Sequence, residues 1–100
     1  MTELDHVTVR DNPDELRYEL LLDGRMVGEI LYRREPGAIE LVHTEVDPSH
    51  EGSGLASRLV EEALRDIRAR GLRVVPICPF VAAFIRRHPE YADLVTAPSG

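Results

Sequence analysis

The chain changes period near its middle, and that change restricts its fold more than any other feature of the sequence. Up to Val46 apolar and polar residues alternate with period two; from Leu55 they recur at helical spacing; from Arg73 to Ile77 strand character returns. A strand, a helix and a strand in direct succession require a crossover that sets the second strand parallel to the first. The strands before it are separated only by short turns and must pair antiparallel. Together the two demands predict a mixed sheet.

His6-Val7-Thr8-Val9-Arg10 reads as the first strand and Asp11-Asn12-Pro13-Asp14 as a turn. Tyr18, Leu20 and Leu22 mark a second strand, and Asp23-Gly24 favours a two-residue hairpin into a third over Met26 to Arg33. Glu35-Pro36-Gly37 turns the chain into a fourth, β-branched strand over Ile39 to Val46. A helix follows, with Leu55, Leu59, Ala63, Leu64 and Ile67 on one stripe, Glu61 and Arg65 paired on the other face, and Gly71 at its C-terminal end. Arg73-Val74-Val75-Pro76-Ile77 is the fifth strand, parallel to the fourth. Cys78-Pro79 opens a second helix with the stripe Phe80, Val81, Phe84 and Ile85, which His88-Pro89 ends. The order is ββββαβα, an α+β fold in which helices pack on an antiparallel meander extended by one parallel strand. One hundred residues make a single domain, 1–100, with an ordered core of about 5–95 and short loose ends at 1–3 and 96–100.

Composition narrows the function. A net charge of −6 repels phosphate backbones and anionic membranes, and with five aromatic residues and no Trp a base-stacking platform is not expected, so no nucleic-acid or membrane partner is foreseen. All 12 basic residues are Arg, which excludes Schiff-base and P-loop lysine chemistry. The single cysteine, Cys78, excludes an intramolecular disulfide, and His6, His50 and His88 have no ligand spacing, so no metal is expected. No signal-peptide pattern and no long apolar run is present, and the chain reads as cytoplasmic.

The stretch from His43 to Leu59 carries the chemistry. Gly52 and Gly54 allow a ligand close to the backbone, and the first N–H groups of the following helix lack internal partners and carry its positive dipole end. That combination suits a phosphate or pyrophosphate, although glycines before a helix also make simple turns. Neither standard nucleotide loop fits: Ser57 stands where G-x-G-x-x-G needs a third glycine, and no lysine is available for a P-loop.

Glu51-Gly52-Ser53-Gly54-Leu55-Ala56 resembles the Gln/Arg-x-x-Gly-x-Gly/Ala turn of the GNAT superfamily of acetyl-CoA-dependent N-acetyltransferases, matching at Gly54 and Ala56 and departing at Glu51. His43-Thr44-Glu45-Val46, then Gly52 to Ser57, Cys78-Pro79-Phe80-Val81 and His88-Pro89-Glu90-Tyr91 together resemble a short branch of that superfamily over residues 5–95. The resemblance implies a trimmed GNAT fold without the helices that lie between the first two strands of larger members. It implies that the fourth and fifth strands splay, with the pantetheine arm of acetyl-CoA in the gap near Val46, Cys78 and Phe80. It implies that the cofactor is bound by the turn at Glu51, with the pyrophosphate on the N–H groups of residues 52–57: Gly52, Ser53, Gly54, Leu55, Ala56 and Ser57.

Three side chains are candidates for catalysis. His43 is a base, a positioning group or an ordinary strand histidine; Glu45, on the same face, is a proton acceptor or an exposed strand-end charge. Cys78 lies at a helix start, where N–H groups lower a thiol's pKa, and is either close to the thioester or a small buried hydrophobe. Arg58, Arg86 and Arg87 could meet phosphates or simply be solvated, and Tyr91 could cap the site or pack. The expected activity is direct acetyl transfer from acetyl-CoA to an amine: a small molecule, a polyamine or a protein tail. The alternative is a CoA or acyl-CoA binding module without turnover.

Overall fold

Short turns bring the first strands together in chain order. In the computed structural model, which describes residues 6–50 and 52–98, β1 (Val7–Asn12), β2 (Arg17–Leu22), β3 (Arg25–Glu35) and β4 (Ala38–Val46) form an antiparallel meander. Asp23 and Gly24 have φ of 52° and 81°, the left-handed pair that a tight hairpin between β2 and β3 needs. Helix α1 (Leu55–Ala69) leads to β5 (Arg73–Pro76), which pairs parallel with β4 and completes the order β1-β2-β3-β4-β5. Helix α2 (Pro79–Arg87) follows. The expected architecture, ββββαβα with β5 parallel to β4, is the observed one.

Both helices serve one core. Helix α1 packs against every strand, and α2 packs on β4, β5 and α1. Leu59, Val60, Ala63, Leu64 and Ile67 are fully buried with Leu20, Ile30, Leu41 and Val74 in a single cluster. Each such leucine or isoleucine contributes about 1.5–3 kcal/mol on burial. The far end of α1 is tied to the meander by polar bonds. The Tyr18 hydroxyl donates to Asp66 Oδ2 at 2.7 Å, and Arg70 bridges Asp66 at 3.0 Å and Asp11 at 2.9 Å.

The other sheet face carries an ion-pair ladder. Arg10 and Arg17 each donate to Glu19 at 2.8 Å, Asn12 Nδ2 donates at 2.9 Å, and Arg33 donates to Glu40 at 2.8 Å. Glu19 is 2% exposed, and its three donors hold its carboxyl down at about 2.

Several local expectations are corrected. Strand β1 runs on to Asn12, because Asp11 and Asn12 pair with Tyr18 and Arg17, and the turn moves to residues 13–16. Strand β5 stops at Pro76, because the Ile77 N–H turns back to the Val75 carbonyl at 3.0 Å. Phe80 is 40% exposed and does not join the core stripe of α2. Two 3-10 turns, Pro48–His50 and Pro89–Leu94, were not foreseen. Nor is Thr96 a loose end: its N–H donates to the Val74 carbonyl at 2.9 Å, beside a bridge between Val95 and Val74.

Candidate functional site

The site forms where β4 and β5 part. Their last paired residues are Leu41 and Pro76, and the Cys78 N–H adds one more bond, 2.9 Å to the Leu41 carbonyl. There the chain turns into α2 while β4 continues to Val46. The run Val42–Val46 therefore has β3 on one side and the opening on the other.

A register shift decides which side chains face that opening. Tyr32 pairs with Leu41 and Leu31 with His43, so Val42 is an extra residue in β4. The bulge places Leu41 and Thr44 on the helix side together and turns His43 and Glu45 to the other face. Thr44 sits opposite fully buried Ile30, whereas His43 and Glu45 are exposed.

Helix α1 starts at the mouth of the opening. Its N-cap is Gly54 at φ 86°, preceded by Gly52 at φ 79°, both in the left-handed region that glycine enters at little cost. Among the described residues no side chain caps the helix, and no acidic residue stands in its first turn. The Arg58 N–H donates to the Gly54 carbonyl at 3.1 Å, and the N–H groups of Leu55, Ala56 and Ser57 precede this first helical donor. A cleft of about 410 Å³ runs from this end to the parted strands, lined by Thr44, Val46, His50, Gly52, Gly54, Leu55, Ala56, Ser57 and Phe80. Its donors and dipole suit an anion at one end, and Val46 and Phe80 suit an apolar chain at the other. Glu51 lies outside the described residues.

Cys78 is the N-cap of α2 and is 4% exposed. Its Sγ lies 3.4 Å from Thr44 Oγ1; the neutral thiol donates to that oxygen, and the hydroxyl can turn to donate to the thiolate. Burial pushes the thiol up, but the Thr44 hydroxyl and the backbone N–H groups of Val81, Phe80 and Thr44 outweigh it, so the net displacement is below the ordinary cysteine value. Thr44 is a site residue to which the sequence reading assigned no role. The bulge that turns it inward leaves no mark in the alternation pattern.

The other candidates separate. Glu45 lines a second cavity of about 500 Å³ with Met26, Val27, Gly28, Glu29, Thr44, Val46, Asp47 and Pro48. His43 and Ser53 line neither cavity. Ser53 donates to the His50 carbonyl and shapes the turn. Arg58 is held by Glu62 at 3.0 Å, and neither Arg86 nor Arg87 lines the cleft. Tyr91 is buried against Phe84, ring centroids 6.2 Å apart. No group of three or more His, Cys, Asp or Glu side chains suited to a metal occurs among the described residues. No helix among them is long and apolar enough to cross a membrane.

A sheet that opens between parallel strands, beside a glycine-started helix, is the arrangement of a trimmed GNAT fold. The chain belongs to the GCN5-related N-acetyltransferase family, whose model matches residues 17–94. It is similar in fold to a GCN5-like protein from Staphylococcus aureus, with a TM-score of 0.69 and 19% identity over 94% of this chain and 92% of that one. A GNAT-family protein from Desulfovibrio desulfuricans aligns with a TM-score of 0.52 and 27% identity, over 76% of this chain and 52% of that one. The ribosomal-protein-alanine N-acetyltransferase of Brucella melitensis aligns with a TM-score of 0.55 and 22% identity, over 84% and 63%. The chain thus spans nearly all of the first structure and less than two thirds of the other two.

Proposed function

We propose that the protein transfers the acetyl group of acetyl-CoA to an amine by direct attack. The observation that carries this reading is the cleft shared by the α1 N-terminus and the β4–β5 opening. The pyrophosphate lies on the backbone N–H groups of residues 52–57, and the pantetheine arm lies between Val46 and Phe80 with the thioester near Thr44 and Cys78. A backbone N–H on the open edge of β4 beyond Leu41 polarises the thioester carbonyl, an interaction worth a few kcal/mol in the transition state. The neutral amine attacks the carbonyl carbon; the C–N bond forms, the C–S bond breaks, and CoA leaves as its thiolate, which takes a proton from water. The amine's surplus proton passes to Glu45 directly or through water, since Glu45 lines the cavity beyond Thr44. His43, on the same exposed face, affects that proton only indirectly. Cys78 neighbours the thioester without being acylated.

Native mass spectrometry of fresh protein tests donor binding, with retention of CoA expected. Acetyl transfer to a panel of amines then tests turnover. CoA binding with no transfer to any amine selects the binding-module reading, which the short turn between β1 and β2 favours because no helix there builds an acceptor wall.

A further inference from the structure

The second cavity adjoins the first along β4. Thr44 and Val46 line both, so the 410 Å³ cleft and the 500 Å³ cavity meet at one wall. A two-substrate transfer needs this arrangement, with donor and acceptor reaching one carbon from opposite sides. The second cavity differs in charge from the first. Its ionisable lining residues are Glu29, Glu45 and Asp47, and no Arg or His lines it among the described residues.

The three carboxylates have different commitments. Asp47 accepts from the backbone N–H of Ser49 at 2.9 Å and from its hydroxyl at 2.8 Å, and the nearby Arg25 charge also favours its ionised form. Glu45 stands next to Thr44 in the chain and is exposed. Glu29 is directly opposite Glu45 in the β3–β4 ladder, with its side chain 19% exposed. Among the described residues its cationic contact is long, 3.4 Å from Arg17 Nη1, while the Nε of that arginine is bound to Glu19 at 2.8 Å. Two carboxylates facing each other across a strand pair repel, and a cation between them relieves that repulsion.

We infer that the acceptor is an amine bearing a second positive charge, which Glu29 receives while the reacting nitrogen lies between Glu45 and Thr44. The inference rests on the transferase reading. It specifies that reading by excluding neutral and monocationic amines as preferred substrates, and it makes Glu29 a specificity residue that does not touch the transferred group. Diamines, polyamines and lysine side chains beside another cation all present this chemistry.

Calorimetry on CoA-saturated protein tests it without requiring turnover. 1,4-Diaminobutane is expected to bind about three- to tenfold more tightly than n-butylamine. Glu29→Gln is expected to remove that preference and leave n-butylamine and CoA affinities unchanged. Where transfer is measured, KM rises for the diamine and not for n-butylamine. If Glu29→Gln does not fold, rising salt applied to the wild-type protein takes its place, weakening diamine binding selectively. A second arm compares a free diamine with a short peptide carrying adjacent lysines, which distinguishes a small-molecule source from a protein tail. Equal binding of the mono- and diamine, or a preference that survives Glu29→Gln, overturns the inference while the transferase reading stands. Failure to bind CoA at all overturns both.

Discussion

The Sγ of Cys78 lies 3.4 Å from the Oγ1 of Thr44, across the line where β4 and β5 separate. One side chain belongs to the strand that continues and the other to the residue that starts α2. The contact therefore pins the apex of the fork, and it holds the thiol beside the proposed thioester position.

Thr44→Val removes the hydroxyl that favours the Cys78 thiolate. The thiol is then expected to titrate at higher pH, and alkylation by iodoacetamide near neutrality to slow by about three- to tenfold. Saturating CoA is expected to slow the same reaction in the wild-type protein. A pH profile unchanged by Thr44→Val would show that backbone N–H groups alone set the thiol.

Gly54 has open space where a Cβ would project, but its φ of 86° strains any other residue. Gly54→Glu places bulk and negative charge at the phosphate end of the cleft. Calorimetry is expected to show loss of CoA binding, while circular dichroism shows a folded protein with stability reduced by about 1–2 kcal/mol. Full CoA affinity in this variant would move the pyrophosphate elsewhere.

Glu45→Gln and His43→Ala separate the two candidates for the proton. With Glu45 as acceptor, its amide variant loses about 10²–10⁴ in acetyl-transfer rate and keeps its affinity for acetyl-CoA. His43→Ala is expected to change the rate by less than about tenfold, because it lines neither cavity. The reverse order of effects would assign the base to His43.

Glu19 links stability to pH. Its folded value of about 2 lies below the ordinary 4.5, so its contribution is present above the ordinary value and is lost as pH falls toward 2. The shift corresponds to roughly 3 kcal/mol at most. Glu19→Gln is expected to lower the urea midpoint at pH 7 and to flatten the acid limb between about pH 5 and 2. An acid limb as steep as that of the wild type would place the sensitive carboxyl elsewhere.

The meander and the crossover were legible because their signals are local. Asp23-Gly24 marks its hairpin by residue type alone, and the step from Val46 through Gly54 to Leu55 marks the change from strand to helix. The site was legible only in part. Continued alternation from Ile39 and Leu41 carries His43 and Glu45 to the core side, and only pairing with β3 reveals the extra residue at Val42 that reverses them. Phe80 has core spacing but stands in the first turn of α2, where the parting strands leave nothing to cover it. Pro89 reads as a helix stop, yet it also starts the 3-10 turn that brings Tyr91 and Leu94 into the core.

The bond from Thr96 to Val74 and the bridge at Val95 cover the outer side of β5, the strand at one end of the sheet. Among the described residues, β1 is the outward-facing border at the other end of the sheet, since the open stretch of β4 beyond Leu41 faces the cleft. Stacking of sheets side by side into an extended fibre needs two such borders per molecule. A molecule with one can join a single neighbour through it, after which the ribbon has nowhere to grow.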